Sequence, residues 1–185
     1  MLASLFQVPL TSKVPSNRMN LRVCCFDCTY CQCGTTQVKT RNKQTAQEYS
    51  PPPADIASAI RFRFARHWQA EARPDIIMIS GNGEPTLHPL FPEVVKEVVT
   101  LREEYFPRCP VGVLSNSATL DSDVLKALGL VDECVFKLDA ADSSIFRQIN
   151  RPTYGISLSS ILERLSRAPC TALRTAVMNE NVRSL

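Results

Sequence analysis

Cysteines 24, 25, 28, 31 and 33 put five of the chain's eight thiols within ten residues. Cys24, Cys28 and Cys31 have the spacing C-x3-C-x2-C, with Tyr30 directly before the last sulfur. Three thiolates on one tight loop can hold three irons of a four-iron cluster and leave the fourth iron without a protein ligand. An open iron lets a cluster bind and reduce a small molecule instead of only passing electrons. Three alternatives use the same thiols. A zinc ribbon needs two C-x2-C pairs a dozen or more residues apart, and Cys109, Cys134 and Cys170 are isolated. Cys25-x2-Cys28-x2-Cys31 fits the start of the ferredoxin run, but Thr35 stands where the fourth cysteine belongs and no proline follows it. Structural thiols are the third, and disulfides are not expected.

Further downstream, Gly81-Asn82-Gly83-Glu84-Pro85-Thr86 forms a glycine turn with a fixed negative charge at Glu84 and a stiff exit at Pro85. Gly83 allows backbone torsions closed to other residues and lets a ligand approach the main chain. Two glycines in a turn are common by themselves, and the signal gains weight from following the cysteine triplet. Asn116 follows an apolar run. Lys137 and Asp139 lie two apart at the end of another, so they face the same side of a strand. A lysine there is costly unless it meets an anion. His88, followed by Pro89, reads as structural, Cys25 and Cys33 as bystanders, and His67 and Trp68 as helix and core.

The elements that must position these residues alternate between short apolar runs and helical patterns. Strands are expected at 19–23, 75–80, 111–115, 133–138 and 171–178. Helices are expected after Pro51-Pro52-Pro53, where Ile56, Ala59, Ile60, Phe64 and Trp68 recur at helical spacing, and over Val94–Tyr105. A short helix capped by Asp121 and stopped at Gly129 follows, and another carries Leu158, Ile161, Leu162 and Leu165. Residues 35–50 are polar and read as irregular. Strand–helix alternation of this kind predicts an α/β fold with parallel strands, whose chemistry sits in loops after the strands' carboxyl ends.

The 185 residues amount to one domain, and 44% hydrophobic with 21% charged residues describes a globular composition. Residues 1–13 read as a poorly ordered extension, 14–178 as the core and 179–185 as a tail. The start has no signal-peptide pattern and no apolar run approaches a membrane span, so no membrane partner is expected and the reducing cytoplasm is the expected compartment. The net charge of +3 is uneven: residues 1–74 carry ten basic against four acidic side chains, residues 75–185 eleven against fourteen. Lys39, Arg41 and Lys43 follow the cysteine loop, and Arg61, Arg63, Arg66 and Arg73 are assigned to the next helix. A solvated helix face accounts for such charges, and attraction of RNA or another polyanion is the functional alternative.

The cysteine triplet followed by Asn82-Gly83-Glu84-Pro85 resembles the radical S-adenosylmethionine (SAM) superfamily. The strings Ser80 to Pro89, Leu114-Ser115-Asn116-Ser117, Lys137-Leu138-Asp139-Ala140 and Phe146 to Pro152 are similar to its iron–sulfur oxidoreductases related to wybutosine-synthesis, tRNA-modifying enzymes. The resemblance implies a partial (β/α) barrel, here ending after about four to five βα units. It implies a [4Fe–4S] cluster on Cys24, Cys28 and Cys31, with SAM on the open iron. It places Tyr30 near the adenine, the turn Asn82, Gly83, Glu84, Pro85 at the cofactor's amino group, and Asn116, Lys137 and Asp139 near its ribose or carboxylate. Reductive cleavage would give a 5′-deoxyadenosyl radical that abstracts hydrogen from a substrate, with RNA one candidate and a flavodoxin- or ferredoxin-type protein as electron donor. Val14-Pro15-Ser16-Asn17-Arg18 looks like the family's Pro-Ser-Arg-Arg segment without the glycine stretch that follows it. The short downstream part carries three further expectations. One is a cluster-binding module without turnover, another is self-association or a partner that completes the barrel, and the third is a neighbour needed by the Leu158–Leu165 helix. Gly83→Val is expected to block the cofactor and spare the cluster.

Overall fold

A computed structural model describes residues 21–169, together with the backbone of Leu5–Val8 and Ala172–Arg174. Its frame is a five-stranded parallel sheet in the order β1-β4-β5-β6-β7, built from β1 (Leu5–Val8), β4 (Ile76–Ile79), β5 (Val111–Ser115), β6 (Glu133–Lys137) and β7 (Ala172–Arg174). The register pairs Leu5 with Ile76, Ile77 with Val111, Gly112 with Glu133, and Val135 with Ala172. A separate parallel pair joins β2 (Val23–Cys24) to β3 (Val38–Lys39).

Alternation along the strands decides which side carries the helices. Ile77, Ile79, Val111, Val113, Cys134 and Phe136 point to one face and join the main core. That face is covered by α2 (Pro53–Gln69), α3 (Phe91–Tyr105) and α4 (Ser122–Leu128). Burying a side chain such as Phe64 or Phe91 is worth about 1.5–3 kcal/mol, so the apolar stripes fix where these helices dock. Their ends follow local chemistry. Pro53 opens α2, with Asp55 in its first turn. Asp121 accepts from Val124 N–H (3.0 Å) at the start of α4. Ile76, Met78, Gly112, Leu114, Val135 and Lys137 occupy the opposite face by the same alternation, so Lys137 belongs to the side away from the helices.

Beyond the strands' carboxyl ends a second core gathers Cys25 and Phe26 with Phe146, Leu158 and Ile161. It is built with α5 (Ser143–Asn150), capped by Asp142, and α6 (Leu158–Leu165), which has a Ser157/Ser160 capping box. Leu158 and Ile161 are thus buried against this chain's own cysteine loop, and the expected missing neighbour is supplied from within; Leu162 remains exposed.

Other departures are local. Val23–Cys24 is a two-residue strand where 19–23 was expected, and Met19 and Asn20 lie outside the described residues. Residues 35–50 hold β3 and the one-turn α1 (Lys43–Gln47), whose N-cap Asn42 accepts from Gln44 N–H (2.8 Å). Leu5–Val8, set apart as extension, pairs with β4, because Gln7 interrupts its apolar run too little to prevent pairing. Arg73 lies beyond α2, and Trp68 is half exposed against Phe106 instead of in the core. Cys134 is disulfide-bonded, against the expectation of free thiols, whereas Cys24, Cys25, Cys28, Cys31, Cys33 and Cys109 are free. No described helix is long and apolar enough to cross a membrane.

Candidate functional site: a cysteine loop over the strand ends

The cysteine loop leaves β2 and is pinned from two sides. On one side Thr40 N–H donates to Cys24 O (3.0 Å). On the other, α5 ends beneath the loop, and Asp27 N–H and Thr29 N–H donate to Asn150 O (3.0 Å) and Ile149 O (2.9 Å). Arg151 adopts a left-handed conformation (φ 43°) that ends the helix, and Thr153 N–H then donates to Cys25 O (2.8 Å). Within the loop, Cys31 N–H bonds Cys28 O (3.2 Å) and Gly34 N–H bonds Cys31 O (2.9 Å), giving two tight turns.

This frame separates the thiols by accessibility. Cys24, Cys28 and Cys31 are half-buried, Cys25 is fully buried and Cys33 is exposed. The hydrogen bond from the Cys25 thiol lowers the Cys24 pKa, while burial raises those of Cys25 and Cys28. Asn116 Nδ2 donates to Cys24 Sγ (3.5 Å) and Cys25 Sγ (3.2 Å), and Asn150 Nδ2 donates to Cys28 Sγ (3.4 Å). Such N–H···S contacts favour thiolates.

The donor set fits an iron–sulfur cluster better than a single ion. A lone zinc holds every sulfur about 2.3 Å from one point, and no such closed group exists among the described residues. Cluster ligands each take a different iron and stand farther apart. Cys24, Cys28 and Cys31 are free, half-exposed thiols on one turn-rich loop, next to the buried Cys25 and the exposed Cys33, a donor set whose chemistry suits three cluster irons.

The residues expected around the loop divide into two groups. Lys137 and Asp139 share a side and meet Tyr30, whereas Asn116, grouped with them in sequence, lies with Glu84 and the cysteines instead. The Tyr30 hydroxyl donates to Asp139 Oδ2, and Lys137 Nζ donates to Tyr30 Oη (2.6 Å) and sits 4.3 Å from its ring centre. Asn150, which was quoted within a matching string without a role, completes the group by donating to Asp139 Oδ2 (2.6 Å). Its Oδ1 is buried without a partner among the described residues. An amide at a helix end, just before an Arg-Pro step, was the available signal. Burial and the Asp139 hydrogen bond push the Tyr30 pKa up. The Asp139 carboxylate side chain is only 2% exposed against 26% for Lys137. Removing one partner of a buried pair costs about 3–5 kcal/mol. We therefore expect Asp139→Ala to lower the unfolding free energy by about 3 kcal/mol in urea titration. A loss under about 1 kcal/mol would mark the pair as a surface interaction.

The glycine turn forms the second group. Gly83 sits at φ 139° against β2, and Glu84 N–H donates to Val23 O (3.0 Å). Asn82, Gly83, Glu84 and Pro85 line a cleft together with Tyr49 and His88. The Glu84 carboxylate is turned inward, however. Its Oε1 accepts from Thr86 N–H (3.1 Å), Thr86 Oγ1 (2.7 Å) and Ser115 Oγ (2.8 Å), and its Oε2 from Asn116 N–H (2.8 Å). Glu84 thus braces the turn to the end of β5 and aims Asn116 at Cys24. His88 is structural as read, held between Pro51 O (2.8 Å) and Leu90 N–H (3.1 Å).

Burial raises the Glu84 pKa, against the hydrogen bonds from Asn116, Thr86 and Ser115. With the folded pKa above the unfolded one, the stability Glu84 contributes is complete below its unfolded pKa and is lost as pH rises through the folded value. Denaturant unfolding of the parent and Glu84→Gln should therefore show a parent-minus-variant difference that declines from about pH 4 to pH 7. A difference that grows over that range would mean that the hydrogen bonds outweigh burial.

A parallel sheet with a three-thiol loop and a polar cluster over its strand ends defines an α/β protein whose titratable side chains gather at one end of the sheet. The chain belongs to the radical SAM superfamily, whose sequence model matches residues 21–181. It is 32% identical over 148 residues to a UPF0026 protein of Methanocaldococcus jannaschii, covering 80% of this chain and 42% of the relative. A UPF0026 protein of Synechocystis sp. is 33% identical over 143 residues, covering 77% of this chain and 48% of the relative. The chain thus spans about half the length of these curated relatives. Among solved structures, it shares its fold with TYW1 carrying a lysine–pyruvate adduct (TM-score 0.50, 20% identity, 84% of this chain and 52% of that one). It also shares it with Streptococcus suis SuiB bound to its precursor peptide SuiA (TM-score 0.56, 12% identity, 94% and 32%).

Proposed function

We propose that this chain carries a [4Fe–4S] cluster on Cys24, Cys28 and Cys31, binds SAM at the open iron, and serves hydrogen abstraction from an organic substrate. The observation that carries the reading is the graded set of thiols, free and half-exposed at these three positions, beside the Tyr30–Lys137–Asp139–Asn150 group. When bound, the cluster and SAM together supply one-electron cleavage of the sulfonium to methionine and a 5′-deoxyadenosyl radical, which takes hydrogen to become 5′-deoxyadenosine.

The chain's own residues hold and exclude. Glu84 fixes the turn and Asn116, whose amide steadies Cys24; Asn150 does the same for Cys28. The unpartnered Asn150 Oδ1 is an acceptor available to a hydroxyl or amino group of the cofactor. Lys137 offers positive charge to a carboxylate. The second core keeps water from beneath the loop. We assign the electron to a flavodoxin- or ferredoxin-type donor and the protein to the cytoplasm, where the free thiols of the cysteine loop would persist. RNA is the substrate class we favour, because exposed Lys39 and Arg41 adjoin the loop and Arg41 reaches Gly155 O (3.1 Å) beside the exposed ring of Tyr154.

Anaerobic reconstitution with iron and sulfide, followed by an assay for 5′-deoxyadenosine under dithionite, tests the reading. Cluster formation with SAM cleavage supports it. A cluster without cleavage leaves a cluster-binding module, and no cluster overturns both. Salt-dependent binding of bulk tRNA tests the substrate class, and Lys39→Ala with Arg41→Ala should weaken it and reduce the salt slope by about one per charge.

A further inference from the structure

Arg22 lies two residues before Cys24 and is 2% exposed. Its backbone is fixed on both sides, with N–H donating to Gln37 Oε1 (2.8 Å) and O accepting from Val38 N–H (3.0 Å). The side chain, by contrast, is poorly satisfied. Nη2 donates to Thr36 Oγ1 (2.5 Å) and stands 3.7 Å from Asp27 Oδ1, while Nε and Nη1 are buried with no partner among the described residues. A guanidinium has five donors, and burying it costs several kcal/mol unless charge and hydrogen bonds are met. One hydroxyl and one distant carboxylate oxygen do not meet them.

The surroundings show what the charge faces. Thr36, the guanidinium's partner, donates its hydroxyl to Phe26 O (2.7 Å) and its N–H to Asp27 Oδ1 (2.9 Å). Arg22 is therefore tied through Thr36 to Phe26 O and lies directly beside Asp27, in the link between the first two cysteines of the triplet. A four-iron cluster with three thiolates is net negative, and each added electron makes it more so. Such a centre would supply the missing counter-charge, and the cluster's potential responds to net charge and hydrogen bonds around it.

We propose that Arg22 is a positioning residue for the cluster, its buried guanidinium holding the anionic centre and favouring the reduced state. The proposal rests on the cluster reading above and adds a residue that the cysteine motif does not contain. Arg22→Lys keeps the charge and Arg22→Met keeps much of the length without it.

The test reconstitutes the parent and both variants of the full chain anaerobically. Each is titrated potentiometrically with dithionite under electron paramagnetic resonance, with iron content and far-ultraviolet circular dichroism recorded beforehand. Arg22→Met should shift the reduction equilibrium at least tenfold toward the oxidised cluster, a midpoint about 59 mV lower for one electron. Arg22→Lys should stay near the parent. A folded Arg22→Met that loses the cluster while Arg22→Lys retains it also supports the proposal. A folded, fully loaded Arg22→Met with the parent's midpoint overturns it. If Arg22→Met does not fold, Arg22→Gln takes its place and is read by the same outcomes. A metal-free Arg22→Gln that is also unfolded makes Arg22 a structural brace and overturns the proposal. A parent that takes no cluster refutes the function reading itself, a result distinct from an unshifted variant.

Discussion

Alanine at Cys24, Cys28 or Cys31 is expected to abolish the visible absorbance of the reconstituted protein, whereas alanine at Cys25 or Cys33 leaves it nearly intact. The reason is access as much as spacing. The first three thiols are half-buried at the loop surface, Cys25 is enclosed in the second core beside Phe26, and Cys33 is exposed within the last turn. Three-ligand sites have no spare donor, so one loss removes an iron's only protein bond. Cys25→Ala costs packing, about 1 kcal/mol, and should show in the melting temperature instead of the spectrum. The decisive comparison is Cys24 with Cys25. A cluster that survives Cys24→Ala and vanishes in Cys25→Ala would establish ferredoxin-type spacing and a loop turned the other way.

Gly83→Val is expected to do more than the sequence alone suggested. A side chain on the turn was expected to intrude on the cofactor and spare the cluster. The structure puts the obstacle elsewhere: a Cβ on Gly83 would lie 2.0 Å from Val23 O, in the strand that leads directly into Cys24. Gly83 also sits at φ 139°, a conformation that side chains rarely adopt. Strain and overpacking each contribute about 1–3 kcal/mol, so the turn and β2 must part. Loss of both SAM binding and cluster formation is the expected outcome, with stability down by about 3 kcal/mol. Isothermal titration with SAM, alongside iron analysis, checks it. A variant with full cluster but no SAM binding would restore the simpler reading, in which the two loops act independently.

These corrections show which kind of information the sequence held. Periodicity located β5 at its observed bounds and α3 and α4 closely, because apolar stripes and caps are properties of neighbouring residues. Spacing picked out the three thiols and the Lys137/Asp139 pair for the same reason. Asn150, Arg22 and the inward turn of Glu84 were not legible. Each depends on contacts across the fold: Asn150 reaches Cys28 over 122 positions, and Glu84 reaches Asn116 over 32. Trp68 went wrong by the opposite route, since helical spacing places a residue on a face without saying how far the covering layer extends. Helix α5 was overlooked because its stripe is short, although Asp142 followed by two serines was an available capping signal.

The bonds from Asp27 and Thr29 to the carboxyl end of α5 bear on the order of assembly. In small zinc domains the metal's binding energy is the folding energy, and the apo chain is a coil. Here the loop is tied by backbone hydrogen bonds to the carboxyl end of α5, and Phe146 of that helix is buried with Cys25 and Phe26 in the second core. The loop's shape is therefore specified in part by contacts within the chain. Were the proposed cluster lost to oxygen, those contacts are expected to keep a docking template, so that repair would refill a socket with no need to refold the protein around it.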